Sequence, residues 1–456
     1  SDAVTFSFEA PRDVESITAR VTVLHANRVL QTGLLKAPVG TRGKWTFTLD
    51  AAPRTRLEGL SARTSFDAAL VLNHDAQGTS QVTVATDDNA VVLPLGDENI
   101  RRLTELLGEQ ISAIADDPKR YKGIESEGSL ELLRSLAQVG AAVHDHILKR
   151  RPGLKHLDDA RRIHITSARA ESFLPAELFY RFRPPSKTAT LCPHALQALK
   201  KGDGSTDCPC DKRKTVCPLG FWGLSKVIER HAYRPDDPDG NGFVLRPEPT
   251  RTKSLLTISG TSLLAASGNA SLFKKDAVTR LHGRLQKRGK AALAKTWDQW
   301  EKHVQKDRPR LLVLLPHHDK DEQGLEYLEI GEDDRRGTAE IWHEMVRRLP
   351  NGPYPVVLLM GCETNLTRIS FDNPVSRFHD HGAAVVVSTI ATILGRHASP
   401  ATGTLVQLLD RMADGKRTFG DIMLRLRQKL VVSSTPMALG LTSYGDADWI
   451  LTREKR

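Results

Sequence analysis

The sequence has few cysteines, few aromatic residues and no long apolar run. It contains five cysteines in 456 residues, and four of them lie between Cys192 and Cys217. An odd, clustered set of this kind does not form a secreted disulfide framework, so a reducing, cytoplasmic setting is expected. No apolar run approaches the roughly 20 residues that cross a bilayer. The N-terminal segment SDAVTFSFEAPRD lacks the basic and apolar regions of a secretory signal, so neither export nor membrane contact is expected.

The composition is that of a globular protein with a basic surface. Apolar residues make up 39% of the chain and charged residues 26%, which allows a packed core and disfavours wholesale disorder. The formal net charge is +10. However, the lysines and arginines are spread along the chain and do not form a stripe with interleaved aromatic residues. Nucleic acid is therefore not an expected partner.

Three regions differ in their residue pattern. Residues 1–95 contain short, partly alternating β-rich segments between turn residues, which predicts a small all-β, sandwich-like domain of unknown role. Residues 96–150 carry apolar residues at three- and four-residue steps and are predicted to form a helical connecting region. In residues 151–456, apolar runs alternate with helical segments, which predicts an α/β domain with a largely parallel sheet covered by helices. The runs are 163–168, 254–260, 310–316, 354–360 and 383–390, and the helical segments are 221–233, 271–286, 337–349, 371–381, 401–414 and 418–430.

Two of these apolar runs end in residues suited to nucleophilic chemistry. The run at 310–316 is followed by His317 and His318, and the run at 354–360 is followed by Gly361 and Cys362. Because the carboxyl ends of parallel strands share one edge of a sheet, a histidine and the cysteine are expected to meet there. An imidazole beside a thiol can accept its proton and later protonate a leaving amine. Taken one at a time, the same residues also fit a buried packing cysteine and two loop histidines.

Longer segments around Cys362 resemble a known family. VVLLMGCETN, SRFHDHGAAVVVSTI and LTSYGDADWIL resemble the C-terminal part of CHAT domains, which belong to the caspase and separase clan. Gly361, Cys362, Glu363 and Thr364 match the cysteine motif of that family. Further matches are Gly382, Gly445 and Asp446, and upstream Pro175, Glu177 and Leu178 within IHITSARAESFLPAELFY. The resemblance covers about residues 125–452.

The resemblance implies a caspase-like fold and a cysteine endopeptidase with a His–Cys dyad. Cys362 would be the nucleophile, Gly361 would lie in its turn, and no cofactor would be needed for catalysis. The histidine strand departs from the family pattern because no glycine follows the histidine. His317 is preferred as the base because it comes first after the run, and His318 is the alternative. A protein substrate, an activating partner bound through the N-terminal domain and a role in bacterial defence are further implications.

Two sets of acidic residues are candidates for substrate binding. The segment between His318 and the next helical pattern, DKDEQGLEYLEIGEDD, is strongly acidic and is expected to be a loop. It either lines a subsite for a basic side chain or is a solvated surface. Glu363 and Asp380 are equally plausible pocket residues.

An insertion at residues 190–220 is rich in cysteine. Cys192, Cys208, Cys210 and Cys217 could supply the four ligands of a structural zinc, with His194 as a substitute ligand. The polar segment GDGSTDCPCDKRK cannot bury a core of its own, which favours a metal. The other interpretation is an ordinary loop with reduced cysteines.

Two other functions are compatible with the same sequence. One is a catalytically inactive caspase-like scaffold or binding protein with a zinc knuckle. The other is a different thiol acyl-transfer enzyme. The presence of both His317 and Cys362 favours the peptidase over the scaffold.

Overall fold

A computed structural model gives the fold of residues 9–453, with gaps. The described strands are β1 (Ser16–His25), β2 (Arg28–Pro38), β3 (Thr46–Ala51), β4 (Ala68–His74), β5 (Ser80–Ala85), β6 (Ala90–Pro94), β7 (Arg162–Ser167), β8 (Thr190–Leu191), β9 (Thr215–Val216), β10 (Val227–His231), β11 (Leu255–Thr257), β12 (Ser262–Ala266), β13 (Ala291–Ala294), β14 (Leu311–Leu315), β15 (His317–Lys320), β16 (Glu326–Ile330), β17 (Asp334–Gly337), β18 (Val356–Leu359), β19 (Val385–Thr389), β20 (Leu441–Gly445) and β21 (Ile450–Thr452). The helices are α1 (Glu98–Asp116), α2 (Glu127–His144), α3 (Pro193–Lys201), α4 (Trp222–Ser225), α5 (Ala277–Arg288), α6 (Trp297–Asp307), α7 (Pro374–Asp380), α8 (Gly395–Met412) and α9 (Phe419–Ser433). The gaps are residues 10, 12, 41–43, 52, 54–59, 76–77, 96–97, 118, 122, 150–153, 155–156, 169–172, 203–207, 232–254, 272–275, 348–353, 362–373, 391–394 and 434–435.

A large, mostly parallel sheet is the centre of the fold. Its eleven strands follow the order β13-β12-β14-β18-β19-β20-β10-β7-β4-β5-β6. The central strands β14, β18 and β19 are made of leucine and valine with few exceptions, and every residue in them is buried. Continuous apolar strands of this kind suit a sheet that is covered by helices on both faces. The predicted α/β architecture with a largely parallel sheet is confirmed.

The strands of residues 1–95 divide between two sheets. β1, β2 and β3 form a separate antiparallel sheet, whereas β4, β5 and β6 extend the large sheet. β4 pairs in parallel with β7, and all seven of its residues are buried. A strand without an exposed face is stable only inside a covered sheet, which explains why β4 joins the main core.

Two segments differ from the secondary structure that the sequence predicts. Residues 337–349, expected to be helical, contain two short 3-10 turns, Thr338–Glu340 and His343–Met345. The acidic segment after His318, expected to be a loop, forms the antiparallel sheet β15-β16-β17. LEYLEI supplies its central strand, which pairs with β15 on one side and β17 on the other, while Leu328 and Ile330 are fully buried in the core.

The segment 221–233 is also not one helix, as the sequence predicted. It forms a single turn, α4, and then enters the large sheet as β10. All five residues of β10 are buried, including Glu229, Arg230 and His231. The charged residues of β10 gave the segment the polar and apolar pattern of an amphipathic helix. The sequence does not show that these residues are buried, because their partners lie elsewhere in the chain.

No helix in the described ranges is both long enough and apolar enough to span a membrane.

Candidate functional site

The carboxyl ends of β14 and β18 lie side by side, as the two apolar runs predicted. The parallel register pairs Leu314 with Leu359, and the next amide, of Met360, donates to the carbonyl of Leu314 over 2.9 Å. One residue further, Gly361 is buried directly against Pro316. A β-carbon on Gly361 would lie 2.4 Å from the carbonyl oxygen of Pro316. The two segments that follow β14 and β18 are therefore still in contact at Pro316 and Gly361, the residues that precede the predicted base and the predicted nucleophile.

Cys362 and Glu363 lie outside the described residues. The former is the predicted nucleophile and the latter a predicted substrate-binding residue. The described part of the site consists of His317, His318 and Gly361.

The two histidines have different surroundings. His317 is 29% exposed, and its Nε2 lies 3.7 Å from Oδ2 of Asp319. Its Nδ1 has no hydrogen-bond partner among the described residues. The His318 ring is 7% exposed and its Nε2 lies 3.4 Å from Oε2 of Glu326 on the neighbouring strand. Adjacent residues of a strand point to opposite faces, so only one of these rings can face the end of β18. The His317 ring is the more accessible of the two, although its Nδ1 is itself a buried atom.

The close approach at Gly361 predicts a steric effect on stability. Gly361→Ala places a methyl group against backbone atoms that cannot rotate away, so the strand ends must separate. We expect the free energy of unfolding to fall by about 1–3 kcal/mol, as for other overpacked sites. The matched control is Gly283→Ala in α5, where no heavy atom lies within 4 Å of an added β-carbon. Since alanine favours a helix over glycine, that variant should be unchanged or slightly more stable. Urea denaturation of both variants measures the difference, and equal stability of the two would contradict the packing described here.

Asp380 does not lie at this edge of the sheet. It ends α7, which leads through Gly382 into the amino end of β19, and the amide of Ala384 donates to Pro355, just before β18 begins. The length of β19 separates this end from the edge with His317, about 13 Å at 3.3 Å per residue. The structure therefore does not bring Asp380 together with the histidines.

Several carboxylates of the acidic segment are used within the small sheet β15-β16-β17 and its surroundings. Asp334 accepts the backbone N–H of Trp297, and Glu329 pairs with Arg335 at 3.3 Å. Asp321 accepts the amides of the turn that joins β15 to β16. These three acids stabilise the sheet and its packing on α6, which is a structural use that the sequence did not indicate.

The four clustered cysteines come together in the fold. The sulfur atoms of Cys192, Cys208 and Cys210 all lie within 4.8 Å of one another. Burial opposes ionisation of the partly exposed Cys208, but Lys212 and neighbouring amide and thiol groups lower the pKa of that thiol to about 7. Burial, together with the thiols of Cys192 and Cys208, raises the pKa of the Cys217 thiol.

A buried cluster of charged residues was missed by sequence reasoning. The carboxylate of Glu229 accepts hydrogen bonds from Arg28 Nε at 2.8 Å, from the amide of Ala447 at 2.7 Å and from His164 Nδ1 at 3.0 Å. His231 Nε2 lies 3.4 Å from the same carboxylate. His164, Glu229 and His231 could in principle ligate a cation. The guanidinium of Arg28 already neutralises Glu229, so the cluster is better suited to joining β2 to the main sheet.

The surroundings of His231 predict acid-sensitive stability. Burial lowers its pKa to about 4, although Glu229 and Asp446 act in the opposite direction. The unfolded chain then binds a proton near pH 6.5 that the folded chain binds only near pH 4. The free energy of unfolding should therefore fall as the pH falls from 6.5 to 4, by at most about 1.4 kcal/mol per pH unit. Urea titrations at several pH values should show a smaller slope for His231→Gln than for the wild-type protein. An identical slope would show that His231 does not contribute.

Comparisons with known proteins give no family for this chain. No family model matches the sequence, and no curated protein matches it. Among solved structures, two crystal structures of the Saccharomyces cerevisiae separase–securin complex are similar, with TM-scores of 0.39 and 0.36 and 8% sequence identity. Each comparison covers 83% of this chain and 30% of the matched chain. At these values, the similarity assigns neither a family nor an activity.

Proposed function

We propose that this protein is a caspase-like cysteine endopeptidase in which Cys362 is the nucleophile and His317 the base. The contact of Pro316 with Gly361 is the observation that carries the proposal. His317 and Cys362 are the residues that directly follow this contact in sequence. The proposal is that their side chains meet at this edge of the sheet.

Nδ1 of His317 is buried and has no hydrogen-bond partner in the part of the chain that the structure describes, which leaves it available as a base. In the proposed reaction, this imidazole accepts the proton of the thiol, and the thiolate attacks the carbonyl carbon of a peptide bond. The imidazolium then gives its proton to the leaving amine as the tetrahedral intermediate collapses to a thioester. A water molecule, deprotonated by the same ring, hydrolyses the thioester and restores the thiol. Asp319, 3.7 Å from Nε2, would stabilise the imidazolium electrostatically.

The substrate is proposed to be a protein, and the setting cytoplasmic. The N-terminal sheet β1-β2-β3 offers a separate surface for an activating partner. Glu363 is retained as a candidate contact to the substrate, because it directly follows the nucleophile in sequence. No cofactor takes part in the proposed reaction.

A covalent probe tests the nucleophile. We expect a peptide with an electrophilic group to label Cys362 faster than the other four cysteines, measured site by site by mass spectrometry. Cys208 is the internal control, because it is a partly exposed cysteine outside the proposed active site. A peptide probe that labels Cys208 and spares Cys362, with the activating partner present, would refute the assignment.

The products distinguish hydrolysis from acyl transfer. A peptidase releases a free carboxylate, whereas an acyltransferase passes the acyl group to an amine acceptor through the same thioester. Cleavage in water enriched in ¹⁸O should place the label in the new carboxylate. Labelling of Cys362 without any cleavage of protein substrates would favour an inactive scaffold.

A further inference from the structure

Four cysteines form a cluster that the proposed reaction does not use. Sγ of Cys192 lies 3.2 Å from Sγ of Cys208 and 3.3 Å from Sγ of Cys210. Cys192 and Cys217 are fully buried, and the other two are partly exposed. Asp211, which directly follows Cys210, instead accepts the amide of Arg213.

Two short strands bring the first and last of these cysteines together. β8 and β9 pair in parallel, with Leu191 opposite Val216, and the amide of Cys192 donates to the carbonyl of Val216 over 3.0 Å. Cys192 and Cys217 directly follow this pair. Cys208 and Cys210 reach the same point from the connection between α3 and β9. The pairing of β8 with β9 therefore makes neighbours of two cysteines that are far apart in sequence.

The geometry differs from that of a disulfide. A disulfide bond joins two sulfurs at about 2.05 Å, whereas Cys192 is almost equally distant from two others. A tetrahedral zinc with sulfurs at about 2.3 Å would hold them about 3.8 Å apart. The two separations from Cys192 reach this arrangement with a movement of about half an ångström. Cys217 is not in the group of three whose sulfurs all lie within 4.8 Å of one another, so its side chain must move further.

The surroundings favour a dianionic centre. Zinc with four thiolates carries a net charge of −2, and Nζ of Lys212 donates to the carbonyl of Cys208 over 2.7 Å. Arg213 and Lys214 follow it in sequence. The sulfur of Cys192 also accepts the amide of Ala195 at the N-terminus of α3, where the helix dipole favours a negative charge.

We propose that Cys192, Cys208, Cys210 and Cys217 bind one structural zinc ion. A site with four protein ligands leaves no open position for a substrate, so its role is to fix the insertion. The backbone amide of Cys217 donates to the hydroxyl of Tyr180 in the core over 3.1 Å. At the far end of α3, Arg425 of α9 donates to the carbonyls of Leu199 and Lys200, both over 2.7 Å. The zinc would thus join the two ends of the insertion, while the end of α3 within it is anchored to α9.

Metal analysis of the full-length protein tests the site. We expect about one zinc per chain after purification without chelator, and none for Cys208→Ser with Cys210→Ser. The exchanged residues are partly exposed, so the double variant disturbs the core less than a change at Cys192 or Cys217. Cys362→Ser is the matched control, because it removes a cysteine outside the cluster and should keep its zinc. Zinc-free wild-type protein, or full zinc content in the double variant, would overturn the proposal.

A second measurement decides the matter if the double variant fails to fold. Wild-type protein is extracted with chelator and titrated with Co²⁺, which in a tetrahedral thiolate site gives intense visible absorption. Saturation at one equivalent, followed by displacement with Zn²⁺ and a rise in the melting temperature, is the expected result. A lack of the thiolate spectrum, or two missing free thiols in the denatured, unreduced protein, would show a disulfide or unligated cysteines instead. Neither measurement depends on peptidase activity.

Discussion

His317→Ala should lower kcat/KM for cleavage of a protein substrate at least about 100-fold, whereas His318→Ala should retain most of the activity. The lower bound is the usual contribution of a positioned acid–base group. His317 follows the Pro316–Gly361 contact, and its Nδ1 has no partner among the described residues. In the proposed mechanism, its loss removes both the proton acceptor of the thiol and the donor to the leaving amine. His318 is buried beside Glu326 and faces away from His317.

Both variants are compared with Cys362→Ala on one substrate, and circular dichroism confirms that each is folded. Loss of activity in His318→Ala with near-normal His317→Ala would shift the base by one residue and keep the dyad. Near-normal activity in both histidine variants, with inactive Cys362→Ala, would place the base elsewhere. Full cleavage by Cys362→Ala would reject the peptidase site.

The central strands could be predicted because their own residues are almost all apolar, which indicates burial. β14 and β18 are continuous apolar runs, and a run that is apolar on both faces belongs in a covered parallel sheet. The adjacency of the two strand ends followed from the same inference. The pattern of apolar residues therefore predicted both the parallel sheet and the edge of the sheet at which His317 lies.

β10 could not be predicted in the same way. Its residues Glu229, Arg230 and His231 are buried because their partners come from distant parts of the chain, Arg28 and Glu177 among them. The sequence of one segment shows the spacing of its apolar residues. It does not show which charged residues from other segments will lie next to it in the fold. The position of Asp380 was missed for a related reason, because the sequence does not show that α7 runs back to the opposite edge of the sheet.

The thiol cluster is an intermediate case. The spacing of the four cysteines suggested a common ligand, but only the pairing of β8 with β9 explains how Cys192 and Cys217 become neighbours. Two-residue strands are too short to give a period in the sequence. The choice between metal ligands and loop cysteines therefore depended on tertiary structure.

Glu229→Gln should destabilise the fold by about 3–5 kcal/mol, the usual cost of breaking a buried ion pair from one side. The variant keeps the shape of the side chain but removes the charge that neutralises Arg28, whose side chain is 2% exposed. Arg28 retains Asp448 at 2.8 Å, but Asp448 also pairs with Arg162 at 2.7 Å and with Arg63 at 3.6 Å, so one carboxylate is then shared by three cations. Burial opposes ionisation of Glu229, and Arg28 with the neighbouring histidines holds its pKa well below the usual range.

Chemical denaturation measures the loss, and Glu131→Gln provides the control. Glu131 pairs with Arg120 on the surface, where both side chains are about half exposed, so its removal should change stability little. The double variant Arg28→Met with Glu229→Leu separates two effects. If the cost of Glu229→Gln comes from leaving a charge unpaired, replacing both partners by apolar groups should recover part of the lost stability. Glu229→Gln with wild-type stability would mean that this ion pair does not hold β2 to the main sheet.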